Sequence, residues 1–143
     1  MSSSRDAIAA LIFTYAERID AGDLAGVAAL FRDATYRSRQ GGTYEGSAAV
    51  LEVLSAKVIL YADGTPRTKH VTTNLVIEID AADASATARS YFTVLQATDR
   101  LALQPIVAGR YHDRCVRAGD AWRFADRLIS VDLVGDLSHH LRG

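Results

Sequence analysis

Residues 67–79 read RTKHVTTNLVIEI, a run of β-branched and apolar residues that is typical of a long β-strand. Three further runs of this kind follow, at residues 85–98, 103–118 and 121–134. Only short turns separate them, at residues 80–83, 99–100 and 118–120. Strands joined by such short turns pair antiparallel, because a parallel connection needs a dozen or more residues. The second half of the chain therefore predicts an antiparallel sheet.

The first part of the chain predicts helices. Apolar residues recur at helical spacing from Ile8 to Ile19, and Ala21-Gly22 ends this segment. Further helical patterns follow at residues 24–31 and 46–59, with short strand candidates at 34–39 and 43–45. Helices followed by antiparallel strands indicate an α+β fold with helices packed on one face of a curved sheet. Because strands and helices do not alternate, the pattern argues against a doubly wound nucleotide-binding fold.

The composition limits the possible functions. The 143 residues match one domain, so we predict a single domain over 1–143, with a flexible tail at 136–143 that includes His139 and His140. A net charge of -1 argues against nucleic acid and membranes as partners. The single cysteine, Cys115, excludes an intrachain disulfide and a cysteine-based zinc site. We expect a cytoplasmic protein, because no signal-peptide or membrane-spanning pattern is present. We also expect no metal, because the adjacent histidines lack a third ligand.

Four side chains are candidates for chemistry. Asp20 lies at the edge of the apolar arc of the first helix, where a desolvated carboxylate is a candidate base; alternatively, it ends the helix and faces water. Tyr15 lies in the centre of that arc, and a buried hydroxyl needs a partner. Arg127 shares the apolar face of the last strand, so it needs an anion from a ligand or from another carboxylate. His70 lies at the entry of a strand.

The alternation of side chains along this strand leaves the role of His70 open. Strict alternation places His70, Thr72 and Asn74 on one face, and Val71, Leu75, Ile77 and Ile79 on the other. The polar face ordinarily contacts solvent. In a sheet that curves around a polar cavity, the same face lines that cavity.

Several short motifs, in their order and spacing, resemble the SnoaL-like branch of the nuclear-transport-factor-2-like superfamily. The motifs are Tyr15-Ala-Glu-Arg-Ile-Asp20-Ala-Gly-Asp23, Leu30-Phe31, Asp33-Ala34, Tyr44-Glu45-Gly46, His70-Val-Thr-Thr-Asn74-Leu75, Gly109-Arg110-Tyr111-His112-Asp113 and Trp122-Arg123-Phe124 with Arg127. The resemblance covers nearly the whole chain. It implies a cone-shaped α+β fold, in which three N-terminal helices close over a strongly bent, mostly antiparallel sheet and leave a deep pocket. It also implies a homo-oligomer, either a dimer or a trimer.

Within this superfamily the pattern is most similar to cofactor-independent lyases such as scytalone dehydratase, hexachlorocyclohexane dehydrochlorinase and bile-acid 7α-dehydratase. The resemblance implies a catalytic Asp20–His70 dyad, with Tyr15 as a donor to a substrate oxygen and Arg127 as a stabiliser of negative charge. It implies no cofactor. The expected reaction is elimination or isomerisation of a small, largely apolar, cyclic, polyketide-like or steroid-like molecule. The alternative is a non-catalytic ligand-binding or structural subunit of the same fold.

Two positions depart from these relatives. Ser38 stands near the position of the catalytic Asp of ketosteroid isomerase, and a serine cannot replace that base. No histidine lies near Val94 to Gln96, where scytalone dehydratase has its second histidine. We expect the substrate to be bound by side chains from many elements, namely Phe13, Tyr36, Leu54, Tyr61, Asn74, Tyr91 and Phe92.

Overall fold

The structure is a computed structural model that describes residues 3–143, and this part of the chain forms three helices and six strands. The helices are α1 (Ser4–Asp20), α2 (Leu24–Ala29) and α3 (Gly46–Lys57). The strands are β1 (Thr35–Ser38), β2 (Thr43–Glu45), β3 (Thr68–Ile79), β4 (Ser85–Thr98), β5 (Leu101–Ala118) and β6 (Ala121–Val134). Among residues 3–143, none of the helices combines the length and the apolar character that crossing a membrane requires.

The six strands form one sheet in the order β2-β1-β6-β5-β4-β3. All neighbouring strands are antiparallel except β1 and β6, which are parallel. Bulges interrupt the pairing of β3, β4, β5 and β6, and bulges bend strands and increase their twist. The helix α1 packs against β3 and β6, and α2 packs against α3. The predicted α+β fold with a curved, mostly antiparallel sheet is confirmed.

The helix α1 places its apolar face on the sheet. Its first turn is capped by the Ser3 hydroxyl, which accepts a hydrogen bond from the Asp6 backbone N–H at 3.1 Å. The residues that it buries recur at the predicted spacing: Ile8, Ile12, Tyr15, Ala16 and Ile19. This face carries Tyr15 toward the interior, and the helix ends at Asp20.

The turn after α1 depends on Gly22. This residue has a φ of +77°, in the left-handed region that glycine adopts without side-chain strain. It also lies against the loop around Gly64, because a Cβ at position 22 would be 1.9 Å from the Gly64 carbonyl oxygen. The turn therefore fixes where α1 ends, and with it the position of Asp20.

A bulge in β3 reverses the predicted alternation. The pairing with β4 shifts between Thr73 and Val76, and Asn74 has a left-handed φ of +54°. The more buried positions are 68, 70 and 72 before the bulge and 75, 77 and 79 after it. Strict alternation over residues 70–79 is therefore wrong, and Val71 is exposed while His70 faces the interior.

The C-terminal segment (residues 136–143) is packed, which corrects the prediction of a flexible tail. Leu141 forms an antiparallel bridge with Val58, just after α3. The backbone N–H of Ile59 donates a hydrogen bond to the His140 carbonyl at 2.9 Å. These partners are about 80 residues apart in sequence, so local composition gave no sign of the pairing.

We expect Gly22→Ala to destabilise the protein more than Gly64→Ala does. Both glycines have a positive φ, at +77° and +82°, where a side chain costs about 1–2 kcal/mol. A Cβ at position 64 meets no atom within 4 Å, whereas a Cβ at position 22 meets the Gly64 carbonyl. Urea denaturation measures both free energies of unfolding. Equal losses would show that the turn accommodates the added methyl group.

Candidate functional site

A cavity of about 660 Å³ lies between the helices and the sheet, and most of its wall is apolar. Residues of α1, α3, all six strands and the C-terminal segment line it, including the predicted Tyr36, Leu54 and Phe92. Its volume is in the range of small-molecule sites. Within residues 3–143, no three His, Cys, Asp or Glu side chains are grouped closely enough to hold a metal ion.

Four residues predicted to bind substrate lie outside this cavity. Phe13 is 43% exposed, because its position on α1 turns it away from the buried face. Tyr91 is 52% exposed and lines a separate, smaller pocket with Asn74, which the β3 bulge carries to that side. The hydroxyl of Tyr61 donates a hydrogen bond to the His139 carbonyl. Tyr61 therefore anchors the C-terminal segment instead of lining the cavity.

Asp20 and His70 are hydrogen-bonded at the wall of the cavity. Asp20 Oδ1 lies 2.6 Å from His70 Nδ1, and Oδ2 accepts from the His70 backbone N–H at 2.8 Å. The Thr68 hydroxyl also donates to Oδ1, at 2.9 Å. Only 12% of the Asp20 side chain and 9% of the His70 side chain are exposed. Because a carboxylate only accepts, Nδ1 carries the hydrogen of neutral His70, and Nε2 carries a lone pair.

The Asp20 carboxyl is ionised at neutral pH. Burial acts to raise its pKa, but the hydrogen bond and the charge of His70 oppose this. The His70 backbone N–H and the Thr68 hydroxyl add to the same effect, and the net pKa of Asp20 lies below its ordinary value. An anion in this position orients the imidazole and stabilises its protonated form.

Tyr15 and Tyr36 present paired hydroxyls to the cavity. Their oxygens are 2.7 Å apart, so one hydroxyl donates to the other and one hydrogen remains for a ligand. Burial raises the pKa of Tyr15, against a smaller opposing effect of the Arg127 charge. Burial and the neighbouring Tyr15 phenol raise the pKa of Tyr36 further. Both phenols are therefore protonated at neutral pH, and the pair is a hydrogen-bond donor.

Arg127 lies behind the cavity wall, and its anion is a carboxylate of the protein, one of the two alternatives that the sequence left open. It is fully buried and bonds Asp113 through two hydrogen bonds, at 2.7 and 2.9 Å. Its guanidinium carbon lies 3.8 Å from the centre of the Tyr111 ring and 4.3 Å from that of Tyr15. Burial acts to lower the guanidinium pKa, but the charge and hydrogen bonds of Asp113 reverse this. Arg127 is thus a neutralised cation that positions the aromatic rings.

His140 is a cavity residue that the sequence patterns did not identify. It is 6% exposed, and its ring centre lies 6.0 Å from that of His70. Gln96 holds the segment that carries it, donating to the His139 carbonyl at 3.0 Å. Burial and the charge of His70 lower the pKa of His140 to about 4, against a smaller opposing effect of Asp20. A pair of adjacent histidines in a polar terminal stretch gave no signal of burial.

The sequence matches the family described as SnoaL-like domain over residues 1–128. One similar solved structure is that of Rv3472, a protein of unknown function from Mycobacterium tuberculosis, solved as a single-residue variant. Its sequence is 29% identical to this chain, the match covers 91% of this chain and 72% of Rv3472, and the TM-score is 0.75. An NTF2-like protein with a cystatin-like fold from Novosphingobium aromaticivorans is 19% identical, and the match covers 95% of this chain and 86% of that protein, with a TM-score of 0.75. A provisionally assigned scytalone dehydratase from the same organism is 23% identical, and the match covers 92% of this chain and 86% of the dehydratase, with a TM-score of 0.74. The sequence matches no curated protein.

We expect Asp113→Asn to lower the free energy of unfolding by about 3–5 kcal/mol, because it leaves the buried Arg127 charge unpaired. The matched control is Asp132→Asn, which breaks a similar two-bond pair with Arg110 on the exposed face of the sheet. That change should cost little, because water solvates both charges. Chemical denaturation compares the two variants, and similar losses would contradict the buried ion pair.

We expect acid to destabilise the wild type more than His140→Gln. Between pH 6.5 and about 4, His140 binds a proton in the unfolded chain but not in the folded one, so stability falls as the pH falls. Glutamine cannot titrate, while His70 and Asp20, which face position 140, remain in both proteins. Denaturation at a series of pH values measures the difference in unfolding free energy. A difference that does not vary with pH would contradict a neutral, buried His140.

Proposed function

This chain belongs to the SnoaL-like domain family, and we propose that it is a cofactor-independent lyase of the dehydratase type, or a related isomerase. The proposed substrate is small, cyclic and largely apolar, and the proposed catalytic pair is Asp20 and His70. The observation that carries the proposal is the 2.6 Å contact between Asp20 and His70 at the wall of a mainly apolar cavity. A neighbour that is provisionally assigned as a scytalone dehydratase supports the same class of reaction.

The cavity favours a ring system that carries few polar groups. A volume of about 660 Å³ suits a molecule of roughly two or three fused rings. The apolar wall supplies affinity, and a few convergent polar groups fix the orientation. The hydroxyls of Tyr15 and Tyr36 are suited to a carbonyl oxygen of such a molecule, because the pair has a free hydrogen to donate.

The proposed reaction begins with proton removal from a carbon next to the carbonyl. His70 Nε2 takes the proton, the C–H electron pair forms a carbon–carbon double bond, and the carbonyl π pair moves to oxygen. The phenol pair donates to the resulting enolate oxygen, while Asp20 stabilises the His70 cation. In a β-hydroxy ketone, the enolate then expels the hydroxyl group, which leaves as water with the proton from His70. Return of that proton to a different carbon gives isomerisation instead.

Arg127 has a supporting role in this scheme. Its charge lies 4.3 Å from the centre of the Tyr15 ring and acts to lower the pKa of that phenol, against the effect of burial. A phenol of lower pKa is a stronger hydrogen-bond donor, so Arg127 assists the enolate through Tyr15. Because Asp113 neutralises the guanidinium, this contribution is smaller than that of a free cation in the cavity.

We expect His70→Ala to lower kcat/KM by about 10²–10⁴-fold, because it removes the base. Two bicyclic probes measure this effect. Hydrogen–deuterium exchange at C2 of 1-tetralone, followed by NMR in deuterated water, reports proton removal alone. Conversion of 3-hydroxy-1-tetralone to 1-naphthol and water, followed by absorbance, reports the complete elimination. Asp20→Asn should lower both rates as well, since it removes the anion that stabilises the His70 cation.

The matched control is His112→Ala, which removes an exposed histidine of β5 on the outer face of the sheet. It should leave both rates unchanged. Near-wild-type rates in His70→Ala would overturn the proposal. If the wild type binds 1-tetralone but catalyses neither reaction, a ligand-binding role becomes the better account of the apolar cavity.

A further inference from the structure

A second histidine faces the candidate base from a different part of the chain. His140 and His70 line the same cavity, their ring centres are 6.0 Å apart, and their planes meet at 68°. The C-terminal segment that carries His140 pairs with the chain just after α3, where Leu141 and Val58 form an antiparallel bridge. Its backbone bonds to Ile59, and the Gln96 amide donates to the carbonyl of His139. The second imidazole is therefore held in place by backbone hydrogen bonds.

The two rings present complementary nitrogens. His70 Nδ1 donates to Asp20, which leaves Nε2 as an acceptor. In His140, Nδ1 is enclosed and has no hydrogen-bond partner among residues 3–143. A hydrogen on that atom would be an unpaired buried donor, and unpaired buried N–H groups are rarer in proteins than unpaired acceptors. The neutral ring of His140 therefore carries its hydrogen on Nε2, the nitrogen left to reach a ligand.

We propose that His140 is a further catalytic residue of this site, whose Nε2–H donates a hydrogen bond to the substrate oxygen that gains negative charge. This inference rests on the proposed function. As His70 Nε2 takes the proton from carbon, the C–H electron pair forms the double bond and the carbonyl pair moves to oxygen. His140 gives up no proton in this step, and its hydrogen bond strengthens as the oxygen becomes an enolate.

The charge of the site agrees with this assignment. Burial and the charge of His70 lower the pKa of His140 to about 4, so its ring is neutral at neutral pH. The titratable groups that face it are His70 and Asp20. Of the three effects on its pKa, namely burial, the charge of His70 and the charge of Asp20, that of Asp20 is the smallest. A neutral donor does not repel the cation that forms on His70. A base beside a neutral imidazole donor is a known arrangement for proton removal next to a carbonyl.

We expect His140→Phe to lower kcat for deuterium exchange at C2 of 1-tetralone by about 10²–10³-fold, the effect of losing one oxyanion donor. Its Kd for 1-tetralone should stay within about threefold, because the hydrogen bond gains its strength in the transition state. His140→Gln keeps an amide donor and should recover part of the lost rate. The matched control is His139→Ala, which removes the neighbouring imidazole but leaves the backbone carbonyl in place.

The outcomes separate this inference from the proposed function. If His70→Ala exchanges as fast as the wild type, the proposed function fails. If His70→Ala is slow but His140→Phe matches the wild type and His139→Ala, the role of His140 is overturned alone. If both substitutions of His140 lose rate and affinity equally, with an altered near-UV circular dichroism spectrum, His140 is a packing residue, which also overturns the inference. A loss of kcat with unchanged Kd and partial rescue by glutamine supports it.

Discussion

The Asp20 carboxylate is the group on which both the packing around the cavity and the proposed chemistry depend. It stands at the last residue of α1 and accepts three hydrogen bonds from β3, so one charged group joins the helix layer to the sheet. A nearly buried carboxylate is tolerated when its lone pairs are used, and these bonds use them. The oxygen that accepts from the Thr68 hydroxyl, Oδ1, also contacts His70 Nδ1 and orients the imidazole. A shift of α1 relative to β3 would therefore change the contact between Asp20 and His70 directly.

A second buried charge supports the aromatic side of the cavity. Arg127 and Asp113 face each other across the β5–β6 pairing, where the ion pair is shielded from water. The rings of Tyr15 and Tyr111 pack on the guanidinium, at 4.3 and 3.8 Å from its carbon. Cation–π contacts of this kind are stronger when desolvated. The position of the Tyr15 hydroxyl therefore depends on an ion pair that does not itself line the cavity.

Sequence patterns predict the elements that carry the site, but only part of the cavity wall. The apolar arc of α1, with Tyr15 inside and Asp20 at its edge, follows from helical periodicity, which is a local property. The faces of β3 do not follow from alternation, because the bulge at Asn74 depends on pairing with β4. The burial of His140 depends on hydrogen bonds to residues about 80 positions earlier. Long-range pairing therefore decides the parts that local patterns miss.

The protonation states around the cavity direct the proposed proton transfer to one atom. Burial keeps the phenols of Tyr15 and Tyr36 protonated, and it keeps His140 neutral above about pH 4. At neutral pH these groups donate hydrogen bonds without accepting a proton from carbon. His70 differs because the Asp20 carboxylate lies 2.6 Å from its Nδ1, so a cation on this ring gains an adjacent anion. In the proposed reaction, two histidines 6.0 Å apart thus take opposite roles, one as acceptor and one as donor, because the carboxylate is bonded to only one of them.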